Sequence, residues 1–195
     1  MQSAAGPGFV VLSGVGTRLT LTDAALRPRA TLDVPGGVQE LVAGRPAYFS
    51  AVAGASTLFT WEGGAPTPVW TDPTPEPMFW PRIAAWVELA GGGAFYFGGQ
   101  WTRRGFYRLG ETGGAWQLTP AHAETHAGSS DLGALLAEDL DGDGRRELVL
   151  GTGVWNLLDV RVFRDGDGGL ELVDTRAPGR AAPRRRAAGP ACRRR

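Results

Sequence analysis

The sequence contains no lysine, so all of its cationic side chains are arginines, and it has two histidines and a single cysteine. The lone cysteine, Cys192, excludes an intrachain disulfide and gives no indication of the compartment. No apolar run is long enough to span a membrane, and residues 1–8 lack the basic and apolar regions of a secretory signal. No Ser/His/Asp set, spaced acid pair or nucleotide-binding loop is recognisable, which argues against an enzyme.

The zero net charge of the chain conceals a separation of charge along it. Residues 1–175 hold all 20 acidic residues and 12 of the arginines, so this part carries a charge of −8. Residues 176–195 hold the other eight arginines among Ala, Pro and Gly, with no acid, and carry +8. Such a segment cannot bury a core, and we expect it to be a disordered Arg/Ala/Pro-rich tail.

The abundant residues are those of short strands joined by tight turns, with 30 Gly, 14 Pro and 7 Trp. Apolar residues alternate with polar ones over runs of four to seven residues, and no helical period appears. The chain is therefore predicted to be all-β, with a domain over residues 1–175. The runs fall into four units, at about 8–35, 38–75, 80–120 and 131–175.

Four short strands in a unit of about 40–50 residues are typical of a β-propeller blade. The third and fourth units are similar to each other, since Ala94–Trp101 matches 147–155 in its apolar run, its glycines and its tryptophan. The first unit starts at the position of a second strand, so one strand is expected to be missing. A small closed ring and an open arc both fit, and an open arc is expected to self-associate. The alternative fold is a β-sandwich.

The most informative stretch joins the first two strands of the fourth unit, after Glu138. Carboxylates at alternate positions of a tight loop repel one another, and Ca²⁺ offsets that repulsion. Gly144 is expected to have a positive φ, and Leu150 at the twelfth position excludes an EF-hand. The predicted ligands are the side chains of Asp139, Asp141, Asp143 and Glu147 and the backbone carbonyl of Arg145. The alternative is an Asp/Gly-rich hairpin turn without a metal.

This loop, placed between two strands of which the second ends in an apolar–Gly step, resembles the FG-GAP/VCBS repeat. That repeat builds the β-propellers of integrin α-subunits and their bacterial relatives, and the close match covers about residues 133–175. The resemblance implies a calcium-binding, non-catalytic module with a protein or carbohydrate ligand and an extracytoplasmic setting. The chain departs from the family pattern, because only its fourth unit keeps the acidic loop.

Two other functions stay open at this stage. One is an enzyme built on a propeller, such as a secreted lyase or glycosidase. The other is a non-functional fragment of a longer propeller protein, because the repeats begin late and stop abruptly at Thr175, as in a truncated reading frame. Nucleic acid or anionic lipid is expected to bind only through the basic tail, whose composition also fits out-of-frame translation.

Two expectations concern packing within the sheets. In the fourth unit we expect four aliphatic side chains to be buried, namely Leu148, Leu150, Val160 and Val162. We also expect the tryptophans to pack between blades rather than to form a sugar-binding face.

Overall fold

A computed structural model describes residues 9–13, 16–23, 25–34, 36–52, 55–62, 65–73, 79–89, 92–101, 105–122, 132–153, 157–166 and 169–177. Every regular element within these ranges is a β-strand. No helix in the described ranges is long and apolar enough to cross a membrane. The all-β prediction is confirmed.

Within these ranges fifteen strands form four antiparallel sheets, and in each sheet the strands are paired in chain order. The first sheet has three strands: β1 (Phe9–Ser13), β2 (Arg18–Thr22) and β3 (Pro28–Asp33). The second sheet has four: β4 (Val38–Leu41), β5 (Ala47–Val52), β6 (Ala55–Glu62) and β7 (Ala65–Thr71). The third sheet consists of β8 (Phe79–Leu89), β9 (Gly92–Trp101), β10 (Gly105–Thr112) and β11 (Ala115–His122). The fourth sheet consists of β12 (Leu132–Glu138), β13 (Glu147–Thr152), β14 (Val160–Gly166) and β15 (Gly169–Arg176). The four predicted units coincide with these four sheets, and within the described residues the first sheet has three strands.

The third sheet is apolar on both faces, and strand β9 shows how the sequence achieves this. Successive side chains of a strand point to opposite faces. Phe95 and Phe97 join an apolar cluster with the second sheet, whereas Ala94 and Tyr96 join a different cluster with the fourth. A strand buried on both faces has no polar alternation, which explains the continuous apolar run at these positions.

Three apolar clusters hold the sheets together in sequence order. The cluster between the first two sheets is built on Leu19 and Tyr48. Phe49 and Leu58 of the second sheet meet the aromatic residues of β9 in the next cluster. In the cluster between the third and fourth sheets, the ring centroids of Phe106 and Phe163 lie 5.8 Å apart. Sheets stacked face to face in chain order give a propeller-like arrangement.

The first strands of neighbouring sheets also lie side by side. Just beyond β4, the amide of Ala43 donates to the carbonyl of Ala84 at 2.9 Å, and the amide of Trp86 donates to the carbonyl of Ala43 at 2.8 Å. The bridge formed by these two bonds is parallel. Because the loop after β4 is thereby fixed to β8, residues of the second and third sheets come together at one end of the molecule.

The fourth sheet is covered on one face only, and this corrects one expectation. Leu148 and Leu150 are fully buried against the third sheet, as predicted. Val160 is 42% exposed and Val162 is half-buried, so the prediction that both are buried was wrong. The register pairs Leu148 with Phe163, which places Phe163 rather than its neighbour Val162 on the covered face.

No apolar cluster of the described residues joins the fourth sheet to the first, so these sheets form no closed ring. The fourth sheet leaves several large apolar side chains in solvent. They include Leu136, Val160, Leu172 and Val173.

The predicted tail lies almost entirely outside the described residues. Strand β15 ends at Arg176, and the described chain ends at Ala177. Residues 178–195, including Cys192, lie beyond it.

Four of the tryptophans pack as expected. Trp61 and Trp70 are buried in two of the clusters, and Trp86 and Trp116 are half-buried against one of them. The side chains of Trp80, Trp101 and Trp155 lie outside the described residues.

The one-sided burial of the fourth sheet can be tested with two leucines on neighbouring strands that occupy opposite faces. Leu148→Ala should lower the free energy of unfolding by about 3 kcal/mol, because it leaves a cavity between two sheets. Leu136→Ala, at a side chain that is 53% exposed, should lower it by less than about 1 kcal/mol. Urea unfolding measures both, and equal losses would contradict the assignment of the covered face.

Candidate cation site

The acidic loop connects β12 to β13 at one end of the fourth sheet. Glu138 ends β12 and lies directly opposite Glu147, the first residue of β13, so residues 139–146 form the connection. Gly142 and Gly144 have φ of 78° and 86°, which confirms the expectation for Gly144. Only glycine adopts this backbone conformation at no steric cost, and the two glycines let the chain reverse its direction within a short loop.

Backbone amides of the loop hold the carboxylates in place. Asp139 accepts from the amides of Gly142 at 2.7 Å and Gly144 at 2.9 Å, one at each oxygen. Glu147 closes the loop from the other strand, because its Oε2 accepts from the amide of Leu140 at 3.0 Å. The two ends of the loop are therefore tied together through carboxylate side chains.

Three carboxylates converge on one point. One oxygen from each of Asp139, Asp141 and Glu147 lies within 4.8 Å of the others, with Glu147 buried and both aspartates exposed. A carboxylate offers about four lone-pair sites, and from the described residues each of these six oxygens accepts a single hydrogen bond, so acceptor capacity remains. The group is open to solvent on the aspartate side and could hold a hard cation through oxygen alone.

Arg164 of strand β14 supplies a positive charge to the same group. Its Nη2 donates to Asp141 Oδ2 at 2.6 Å, and its Nε donates to Glu147 Oε1 at 3.1 Å. The hydrogen bond to Glu147, and then the negative charge of Asp141, raise the pKa of this guanidinium above its ordinary value. The arginine therefore stays charged and offsets part of the repulsion between the carboxylates without a metal.

The remaining predicted ligands are placed less centrally. Asp143 is not among the three converging carboxylates, and its Oδ1 accepts from the amide of Arg145 at 2.8 Å. A ligand role for Asp143 and for the carbonyl of Arg145 stays a prediction. Of the five predicted positions, the structure brings Asp139, Asp141 and Glu147 together.

Sequence reasoning did not identify Arg164. The two arginines of the loop itself, Arg145 and Arg146, form no ion pair with a described carboxylate. Arg164 lies 17 residues beyond Glu147. Its proximity follows from the pairing of β14 with β13, in which Leu148 faces Phe163. In the sequence Arg164 is marked only by its position two residues before Gly166, at which β14 ends.

Comparison with known proteins finds no matching family model, no matching curated protein and no matching solved structure.

The role of Arg164 can be tested in the absence of any divalent cation. Arg164→Gln should lower the melting temperature by several degrees, because the carboxylate of Glu147, whose side chain is 2% exposed, loses its charged partner. Arg176→Gln is the matched control, since Arg176 pairs at 2.7 Å with Asp174, whose side chain is 42% exposed. The control should melt as the unmodified protein does. Equal shifts in the two variants would show that Arg164 is an ordinary surface charge.

Proposed function

We propose that this protein is a calcium-binding, non-catalytic module of the FG-GAP/VCBS type, built on a partial propeller, that binds a protein or carbohydrate ligand. The observation that carries the proposal is the convergence of Asp139, Asp141 and Glu147 at the end of a β-hairpin. Its position between the first two strands of a four-stranded sheet agrees with the family resemblance of residues 133–175.

The bound ion would link the two strands of the hairpin at the ends that flank the loop. Asp139 follows the last residue of β12, and Glu147 begins β13. An ion held by both would join the two strand ends with a stronger link than the single hydrogen bond from the amide of Leu140 to Glu147. Because β13 lies in the middle of the sheet, fixing its start would stiffen the whole blade.

The charge of the site favours a divalent cation of moderate affinity. Four carboxylates lie within nine residues, and Arg164 already offsets part of their charge. The loop is open to solvent at Asp139 and Asp141. Dissociation constants of roughly 10⁻⁴ to 10⁻³ M, as in extracellular calcium modules, are therefore expected.

The choice of calcium over magnesium rests on geometry. Ca²⁺ accepts six to eight oxygen ligands in a flexible arrangement, whereas Mg²⁺ requires a near-ideal octahedron and loses its waters reluctantly. A solvent-exposed loop with oxygens from three residues suits the ion that tolerates a flexible arrangement. We therefore expect magnesium to have a much smaller effect at the same concentration.

Thermal melting in millimolar calcium tests the proposal. At ten times its dissociation constant, calcium should stabilise the fold by about 1.4 kcal/mol, which raises the melting temperature by a few degrees. Asp139→Asn should abolish this shift, because it removes one of the three converging negative charges. Asp143→Ala tests the peripheral carboxylate in the same way.

Glu138→Gln is the matched control, since it removes a negative charge beside the loop at a residue outside the converging group. This variant should keep the calcium shift. If calcium does not change the melting temperature of the unmodified protein, the calcium proposal is refuted. The loop is then a hairpin turn stabilised by Arg164.

A further inference from the structure

The outer face of the fourth sheet is the face turned away from the third sheet. Leu148 and Phe163 pack against the third sheet, so the residues that alternate with them point outward. In register across the strands, three of these outward residues are Leu136, Val149 and Val162. Leu136 is 53% exposed, and the two valines are half-buried. The described chain therefore leaves an apolar band in solvent across β12, β13 and β14.

The rows of outward residues on either side of this band differ in charge. The row beside the acidic loop has three glutamates and one arginine, so its net charge is −2. Its members are Glu138, Glu147, Arg164 and Glu171. The row at the far end has a single charged side chain, that of an arginine. Its members are Ala134, Gly151, Val160 and Arg176. One end of the outer face is therefore acidic and the other is basic, with the apolar band between them.

The first sheet does not match this band, because the described side chains on its outer face are polar. Leu19 of β2 is buried toward the second sheet, so its neighbours Arg18 and Thr20 point outward. Asp33 and Thr31 of β3 lie directly opposite these two residues. A stack that continued from the fourth sheet of one molecule to the first sheet of another would bury hydroxyl and charged groups against apolar side chains, which is unfavourable.

The C-terminal residues of the chain do not supply a matching surface either. Residues 178–195 consist of Arg, Ala, Pro, Gly and one cysteine, with no aliphatic side chain larger than alanine. A second copy of the outer face does match, because it presents the same apolar band. A contact of this kind, in which the same patch is used by both molecules, is isologous and closes at two copies.

The outer face is large enough for a weak, specific dimer. Strands about 4.8 Å apart and about six residues long give a face of roughly 20 Å by 20 Å. Two such faces in contact bury about 1,000 Å² in total, at the low end of specific interfaces. A dissociation constant of about 10⁻⁶ to 10⁻⁴ M is therefore expected.

We infer that two copies of this chain associate through the outer faces of their fourth sheets, with the two-fold axis running across the strands. An axis in this direction lays the apolar band of one copy on the band of the other. It also lays the acidic row of each copy on the basic row of its partner. This association is separate from the function proposed above and does not depend on calcium.

The direction of the axis follows from charge. With the axis across the strands, Glu171 faces the partner's Arg176, and the contact occurs twice in the dimer. Arg176 also pairs at 2.7 Å with Asp174 of its own strand, which offsets the one charge in the row of the apolar band. An axis along the strands would instead place Glu138 over the partner's Glu171, and these like charges repel.

Sedimentation equilibrium of the full chain tests this inference, over about 1 to 200 µM protein so that the expected dissociation constant is bracketed. The buffer is free of calcium and contains a reductant, which prevents an intermolecular disulfide through Cys192. The mass should rise from 20.6 kDa to twice that value and no further, because an isologous contact is closed. Raising the salt to about 0.5 M should change the dissociation constant less than about threefold, since it screens attraction between the basic tail and the acidic body.

Two valines of equal exposure distinguish the outer face from other apolar surface. Val160→Arg should weaken dimerisation at least about thirtyfold, because it places two charges in an apolar contact. Val52→Arg on the second sheet is the matched control, since Val52 and Val160 are both 42% exposed. The control should change the dissociation constant less than about twofold. Leu136→Arg makes the same change on β12 and should weaken dimerisation as Val160→Arg does. Far-UV circular dichroism of each variant verifies that it is folded.

Glu171→Arg tests the direction of the axis. It places an arginine opposite the partner's Arg176 twice in each dimer, so the dissociation constant should rise about tenfold. With the axis along the strands the same variant would pair with the partner's Glu138 and would tighten the dimer.

Four results would overturn the inference. The first is a mass that stays at 20.6 kDa over the whole concentration range. The second is a mass that grows beyond two copies, as head-to-tail stacking would produce. The third is association that high salt abolishes, which would assign it to the basic tail on the acidic body. The fourth is an equal effect of Val160→Arg and Val52→Arg. Tighter association of Glu171→Arg would overturn the direction of the axis.

Discussion

Burial on both faces of a sheet is the constraint on which this architecture depends. In β9, Phe95 and Ala94 are both completely buried although they belong to clusters on opposite sides of the sheet. An apolar sheet of this kind is stable only between two others, so the chain stacks its sheets in order. Within the described residues the fourth sheet is covered on one face only, and the exposure of Leu136 and Val173 follows from this.

Stacking also brings the acidic loop close to residues of the second and third sheets. The turns and strand ends of three successive sheets meet at one end of the stack, where Arg45, Glu88 and Arg146 line two adjoining hollows. The acidic loop lies on the side of the fourth sheet, and Arg164 links it to β14.

Local patterns made much of this structure predictable from sequence. Period-two alternation and Gly-rich turns predicted the strands, and the Asp/Gly spacing predicted both the loop and the positive φ of Gly144. The errors arose where a face depends on register, because Val162 and Phe163 are both apolar and only the pairing with β13 decides which one is covered. Arg164 was missed for the same reason, since it meets Glu147 only because β14 pairs with β13.

The central claim, that Asp139, Asp141 and Glu147 bind a calcium ion, is tested most directly by a crystal structure grown in calcium, with anomalous scattering used to identify the ion. The account predicts a single anomalous peak coordinated at about 2.3–2.6 Å by oxygens of these three residues. A calcium-soaked crystal with no peak at the loop, and with Arg164 alone between Asp141 and Glu147, would contradict it.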